Sequence, residues 1–487
     1  MLTLSCPSCG AEVRFRSHAA VMAVCEYCRT GVLKDPGSVG DLGKIAEVLE
    51  DFSPIQLGTA GTWNGRSFTV VGRLQLRYDA GFWNEWYLLF GDGETGWLGD
   101  ASGQFTITVD RPTDEKPSPF DTLRPGMDVT AAGERWVVAD VRTARCTGGQ
   151  GELPFRVGDG WEAKVADLRS AGRFLTLDYS DGYPPKVYDG TSVTLESLRP
   201  QLLRDDDAIR QTAGRYRGKV QALDCPACGS GIKYLPGMTA NLVCPSCRAH
   251  LDAASPQVAV LRAGEKLAAV RTTLPLGAEA KVGNQKLTVI GVMRRADDEG
   301  TEWTEYLLYG PRSGFTWLVE TDEGWQRSNA MDSWPARRGD SVLLHNVGYR
   351  RLYAYPARVT FAAGAFNWRV AVGDTVQVEE FEKGQERLTA ERTDHEITWS
   401  RSKPLALDQL KAWFPGVLKD VMPPLRKPAA LTDGSRYRGA AKFLIIVAGA
   451  LNAVPLMVNF GGTIAYTILA GLALYLPAIF LDNNDSQ

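Results

Sequence analysis

Two four-cysteine clusters with one shared spacing constrain this chain more than any other feature. The first runs Cys6-Pro7-Ser8-Cys9, then fifteen residues, then Cys25-Glu26-Tyr27-Cys28. The second runs Cys225-Pro226-Ala227-Cys228, fifteen residues, then Cys244-Pro245-Ser246-Cys247, each cysteine 219 residues after its counterpart. Two thiolates from each of two tight turns close a tetrahedron, so the spacing fits a structural zinc ribbon. The prolines after Cys6 and Cys225, with Gly10 and Gly229, suit such turns. Disulfides are the competing use of the pairs, and rubredoxin-like iron is the competing metal. Met1-Leu2-Thr3-Leu4-Ser5 leads into Cys6 without a secretory leader, which favours reduced thiols. Four thiolates leave no position for water, which argues against a catalytic zinc. A ribbon this small cannot bury a sufficient core, and metal supplies the missing stabilisation. Residues 12–15 and 20–24 read as a hairpin in the first copy, and 232–234 and 241–243 in the second. The ninth cysteine, Cys146, aligns with Val359 and reads as a small buried residue.

The repeat extends beyond the cysteines. Thr69-Val70-Val71-Gly72 matches Thr288-Val289-Ile290-Gly291, and Trp83-Asn84-Glu85-Trp86 matches Trp303-Thr304-Glu305-Tyr306. Trp97-Leu98 matches Trp317-Leu318, and Leu175-Thr176 matches Leu388-Thr389. The regions that follow each ribbon are rich in glycine, aromatic residues and short β-prone runs, among them 67–71, 83–90, 105–109, 135–141 and 174–177. One ribbon plus one β domain is the repeating unit. Two copies are too few for a solenoid or propeller, so two barrels or sandwiches are expected.

Residues 443–481 carry no charge over 39 positions. As one helix they would span about 58 Å, too long for a bilayer core of about 30 Å. Asn459-Phe460-Gly461-Gly462 divides the run, which therefore reads as a hairpin with spans over 443–459 and 463–481. Asn452 and Pro455 make the first span dependent on its partner, and Ala448, Gly449, Ala470 and Gly471 allow close approach. Arg426, Lys427, Arg436, Arg438 and Lys442 precede the spans, and no Lys or Arg follows them. The positive-inside rule then places the long N-terminal region in the cytoplasm, anchored to the membrane, with the tail on the same side. A buried soluble helical hairpin is the competing reading.

The fold class expected is mainly β: two zinc ribbons, two antiparallel β barrel or sandwich domains related by tandem duplication, and a C-terminal two-helix transmembrane hairpin. The divisions are ribbon 1 over 1–35, a linker helix over 36–52, β domain 1 over 53–204 and a linker over 205–223. They continue with ribbon 2 over 224–254, β domain 2 over 255–414, a basic Pro-containing linker over 415–442, the hairpin over 443–481 and a tail over 482–487. Short helices are expected over 195–203 and 405–414.

These residues resemble a bacterial family known as domain of unknown function 4178. The resemblance is carried by Cys-Pro-Ser-Cys-Gly at 6–10, by Val70-Val71-Gly72-Arg73 and by Trp83-Asn84-Glu85-Trp86-Tyr87-Leu88, and more weakly by 288–291 and 303–308. It implies no established activity. It implies gene neighbourhoods that include polyamine-synthesis enzymes and small membrane proteins.

Three functional classes follow. The first is a membrane-anchored cytoplasmic scaffold or sensor that binds a protein partner, linked to polyamine metabolism or membrane stress. In its ligand-binding form, Trp83 and Glu85 share one face of a strand, as do Trp303 and Glu305, and an indole with a carboxylate suits a cationic amine. The competing reading places each Trp in the core and gives each Glu a structural hydrogen bond. The second class is nucleic-acid binding. Arg14, Arg16, Arg29 and Lys34 surround ribbon 1, with Phe15 and Tyr27 as stacking candidates, but the net charge of −3 opposes it. The third is an enzyme, for which no Gly-x-x-x-x-Gly-Lys-Ser/Thr loop, His-Glu-x-x-His or Gly-x-Ser-x-Gly motif occurs. The reading is non-enzymatic. The copies diverge at 79–82 against 298–302, a loop expected to set their binding differences.

Overall fold

The structure is a computed structural model. It describes residues 2–34, 41–44, 53–78, 81–101, 103–157, 160–205, 241–244, 249–252, 259–262, 272–310, 313–366, 370–418, 441–447 and 468–473, with isolated positions at 48, 51, 208–209, 225, 227, 247, 368, 452, 461, 463–464, 475 and 477. It is mainly β, with two antiparallel sheets in tandem.

Eight strands of the first sheet form a closed circuit of pairings. They are β1 (Arg66–Tyr78), β2 (Gly81–Phe90), β3 (Thr95–Ala101), β4 (Gln104–Asp110), β5 (Glu134–Leu153), β6 (Trp161–Ser170), β7 (Arg173–Asp178) and β8 (Lys186–Val193). The order is β5-β6-β7-β8-β4-β3-β2-β1, and β1 pairs back onto β5. The second sheet repeats it with β9 (Gln285–Ala296), β10 (Glu302–Gly310), β11 (Gly314–Thr321), β12 (Gly324–Ala330), β13 (Val347–Phe366), β14 (Thr375–Lys383), β15 (Glu386–Arg392) and β16 (Ile397–Leu405). Its order is β13-β14-β15-β16-β12-β11-β10-β9, with β9 pairing back onto β13.

Alternation along the strands sorts residues between two faces. On β6, Ala166 and Leu168 pack with Leu175, Leu177 and Trp136 in one apolar cluster. Ala163, Val165 and Asp167 face the other way, toward a cavity. Closure brings β1 and β5 very close. A Cβ on Gly72 would lie 1.9 Å from the Glu152 carbonyl oxygen, and one on Gly151 would lie 2.2 Å from that of Val71. The strand β1 also bulges between Val70 and Gly72, and β9 bulges at the matching place between Val289 and Gly291. The Gly of the Val-Val-Gly-Arg motif is thus required by strand closure.

Each ribbon is stitched to its sheet. The strand Met22–Val24 pairs with Gly151–Leu153 of β5, and Asn241–Val243 pairs with Gly364–Phe366 of β13. The Glu152 carboxylate accepts the backbone N–H groups of Arg16 and Ser17, each at 2.7 Å. Within ribbon 1 the strands do not pair as the sequence suggests. Glu12–Phe15 pairs with Leu2–Ser5, and Met22–Val24 with Thr30–Leu33, because each turn returns its chain to the strand flanking its own cysteine pair. In ribbon 2, Asn241–Val243 pairs with His250–Asp252, and residues 232–234 lie outside the described residues.

The expected linker helix over 36–52 is replaced where it is described. Asp41–Lys44 is a strand paired with Thr30–Leu33, an edge that offered backbone partners and overrode the helical spacing. Over 195–203 only a single turn of 3-10 helix forms, Glu196–Leu198. The second short helix is Leu407–Trp413, with Leu410 and Trp413 packed on the core of the second sheet.

The two sheets belong to one compact unit, Met1–Met422, and touch directly. Val141 N–H donates to the His395 carbonyl at 2.9 Å, and Trp334 N–H donates to that of Ala171 at 2.9 Å. Arg142 bridges Asp140 of its own sheet, Nε to Oδ2 at 2.6 Å, and Glu396 of the other.

Residues 423–487 form a second unit. Its described residues include helical stretches at 441–447 and 468–473 on which Phe443, Leu444, Ile446, Ile468, Leu469 and Leu472 are exposed. Among the described residues no helix is long and apolar enough to cross a membrane. Most of the two spans expected over 443–459 and 463–481 lies outside the described residues.

Candidate functional site

The first cysteine cluster is assembled by two matching turns. Gly10 N–H donates to the Cys6 carbonyl at 2.8 Å and Arg29 N–H to that of Cys25 at 3.0 Å, with Gly10 and Arg29 both at positive φ. The four sulfur atoms lie within 4.8 Å of one another, with Cys6 to Cys28 at 3.5 Å and Cys9 to Cys25 at 3.7 Å. Four sulfurs at about 2.3 Å from a tetrahedral metal are about 3.8 Å apart, so this geometry suits a metal. It excludes a disulfide, whose sulfurs sit about 2 Å apart. In the second cluster Cys225, Cys244 and Cys247 converge in the same way, with Cys225 to Cys247 at 3.7 Å. Cys228, the expected fourth ligand, lies outside the described residues. Both clusters can hold metal ions. Cys146 is fully buried among Leu76, Ala144 and Ala163, and burial pushes its thiol up to about 12, which leaves it inert.

The two Trp–Glu pairs adopt one geometry. On β2, Trp83 Nε1 donates to Glu85 Oε1 at 2.8 Å; on β10, Trp303 Nε1 donates to Glu305 Oε1 at 2.7 Å. The neighbours Trp86 and Tyr306 point to the opposite face and are buried. Each Glu therefore makes the structural hydrogen bond of the competing reading. All four residues also line a cavity of about 1590 Å3 to which both sheets contribute. The aromatic side of the first sheet is continuous here, with Trp83 against Tyr78 at 5.8 Å and Trp97 against Phe155 at 6.1 Å between ring centroids.

The cavity is acidic. Nineteen Asp and Glu residues line it against four Arg and no Lys, whereas the whole chain holds 57 acidic and 54 basic residues. Burial pushes the Glu85 carboxyl up to about 8, against the pull of the Trp83 hydrogen bond, and the charges of Asp167, Asp178 and Asp100 add to the rise. Burial also raises Asp100 to about 7, with the Asp51 charge contributing. Asp140 rises to about 7 through burial, despite Arg142 beside it.

The second sheet differs at one decisive place. Arg295 lies across from Trp303, and its guanidinium sits 3.5 Å from Glu305 and 2.9 Å from Glu391. The residue across from Trp83 is Leu76. Burial works against the Arg295 charge, but Glu305 and Glu391 outweigh it and hold the guanidinium firmly protonated. Burial pushes Glu305 up and Arg295 draws it down. Sequence reasoning did not single out Arg295, Asp178 or Glu391. Aligning the copies strand by strand would have flagged Leu76 against Arg295 as a charge change on the Trp–Glu face. Of the divergent loop, Asp298, Glu299 and Glu302 line the cavity, and residues 79–80 lie outside the described residues.

Residues 56–195 and 275–406 match the model of a family described as Domain of unknown function (DUF4178). No curated protein and no solved structure matches the chain.

Proposed function

The chain belongs to the DUF4178 family, with two copies in tandem, and from that premise we propose that it is a membrane-anchored scaffold or sensor whose shared acidic cavity receives a cationic ligand. The observation that carries the reading is the acidic lining of the cavity, nineteen Asp and Glu side chains against four guanidinium groups, together with a Trp–Glu pair from each copy. Cations gain from both the carboxylate field and the indole faces, and the low local dielectric strengthens both. At about 1590 Å3 the cavity exceeds the roughly 300–1,000 Å3 of ordinary small-molecule sites, which suits an extended polyvalent amine or a basic segment of a partner protein. Each closed circuit of strands is read as a β barrel, with its ribbon held by one structural zinc, Cys228 completing the second set.

The anchor in this reading is the charge-free run over 443–481, preceded by basic residues, with the bulk of the chain in the cytoplasm. The exposed apolar side chains of Phe443, Ile446, Ile468 and Leu469 support it. Nucleic acid fits poorly, since an acidic cavity repels phosphate. A catalytic alternative is favoured by one observation, the raised carboxyls of Glu85, Asp100 and Asp140, since acid–base groups are tuned in this way.

The test is calorimetric titration of spermidine into the full chain purified in detergent from the membrane fraction. Binding that weakens at least tenfold in Trp83→Ala and Glu85→Ala is expected; binding indifferent to both would remove the cavity from the argument. Recovery of the protein from the soluble fraction would remove the anchor. Metal analysis should find two zinc ions per chain, falling to one in Cys9→Ser.

A further inference from the structure

The duplication supplies an internal comparison for the cationic site. In the second copy, Glu305 on β10 and Glu391 on β15 flank the guanidinium of Arg295, which projects from the neighbouring strand β9 at the residue across from Trp303. The first copy keeps the counterparts. Trp83 and Glu85 stand at the same positions of β2, and Asp178 faces Val165 as Glu391 faces Val378. The cation is missing, because Leu76 occupies the register of Arg295, and Arg142 stands at the register of Tyr355, which packs on Trp303 in the second copy.

Among the described residues no ion pair reaches Glu85, and the charges acting on it are those of Asp167, Asp178 and Asp100. The two arginines of the first copy that line the cavity are committed elsewhere. Arg142 holds Asp140 and Glu396 and stacks on Tyr78 at 4.1 Å. Arg169 holds Ser192 and stacks on Phe174 at 4.5 Å. Asp178 accepts from Ser180 N–H at 2.9 Å and from its hydroxyl, which leaves carboxylate lone pairs free.

We infer that the Trp83–Glu85–Asp178 pocket of the first copy is an open receptor for one guanidinium or primary ammonium group, and that Arg295 fills the equivalent pocket of the second copy from within the chain. The second copy thus displays the chemistry of the ligand head group: a planar or compact cation between two carboxylates, beside an indole whose N–H is already committed to one of them. This rests on the cationic-cavity reading and narrows it to one pocket, one stoichiometry and one head group. A ligand longer than its head would extend into the rest of the cavity.

The probe is butylguanidinium, titrated by calorimetry into the full chain in detergent, with neutral butylurea as the control for shape. One equivalent is expected to bind to the unaltered protein, two to Arg295→Leu and none to Leu76→Arg, with at least a tenfold loss in Glu85→Gln. Should Leu76→Arg fail to fold, by near-ultraviolet circular dichroism, the decision passes to Arg295→Ala. Its lowered melting temperature should recover in millimolar butylguanidinium and not in butylurea. Spermidine binding that stays intact in Leu76→Arg but is lost in Trp83→Ala and Glu85→Ala, with one equivalent in Arg295→Leu, would overturn this inference and leave the cavity reading standing. No cation binding to either the unaltered protein or Arg295→Leu would overturn both.

Discussion

The two copies share a circuit of eight strands, a bulge at the same position of the first strand and a Trp–Glu pair of the same geometry, yet they neutralise their interiors differently. The first copy buries a cation below its Trp–Glu face. Arg73 is 2% exposed, pairs with Asp51 at 2.8 Å, is bonded to Asn84 and stacks against Trp86. The second copy has Val292 at that register, Thr304 for Asn84 and Tyr306 for Trp86, and it places its cation at Arg295 on the cavity face. One duplicated scaffold therefore carries its charge on opposite sides of the same strand. A closed sheet tolerates this because each face has its own environment, and a buried ion needs only its local partners. The difference leaves Glu85 without an ion pair among the described residues and gives Glu305 the Arg295 guanidinium.

Six substitutions, in three matched pairs, would break or sharpen this comparison. The largest effect is expected where the copies agree. Gly151→Ala forces a Cβ toward the Val71 carbonyl at a residue with φ +66, and Gly364→Ala does the same to Ile290, at 2.4 Å and φ +93. Both should destabilise their own circuit by at least about 3 kcal/mol, measured by urea denaturation. Equal losses would establish that closure is shared; tolerance in one copy would mean that its circuit opens.

Next comes the buried cation of the first copy. Arg73→Ala removes the nearer of the two guanidinium groups at Asp51, leaving Arg204 at 3.8 Å, and should cost about 3–5 kcal/mol. Val292→Ala at the same register should cost roughly 2 kcal/mol. A smaller loss for Arg73→Ala than for Val292→Ala would refute the assigned role of the Arg73 network.

The smallest effect depends on pH. The Glu85 carboxyl titrates near 8 in the folded chain against an ordinary value of 4.5, so the folded state binds the extra proton between those values. Stability from this group is full below about pH 4.5 and declines as pH rises through 8. Glu85→Gln should therefore raise the melting temperature at pH 9 and leave it little changed at pH 5. Glu305→Gln should lower it at pH 9, because Arg295 loses a partner. The same sign for both would erase the electrostatic distinction between the copies.

Much of this architecture was written locally. The cysteine spacing announced both clusters, and the repeated Trp-x-Glu placed an indole and a carboxylate on one strand face, where they meet. Partners distant in sequence were harder to read. The ribbon strands pair with neighbours that the hairpin reading did not choose, and Asp41–Lys44 follows an available sheet edge in place of its helical periodicity. The contrast between Leu76 and Arg295 is visible in an alignment, but its meaning depends on which strand lies beside Trp83 and Trp303.

The sequence by itself determined the duplication, the cysteine clusters, the predominance of strands and the pairing of each Trp with its Glu, because these depend on spacing over a few residues. The tertiary structure decided that β1 returns to β5, that both Trp–Glu faces share one cavity, and that one of them holds an internal guanidinium. Those outcomes are set by contacts between segments tens to hundreds of residues apart. Burial and charge act there through space, and no local pattern records which residues will face one another.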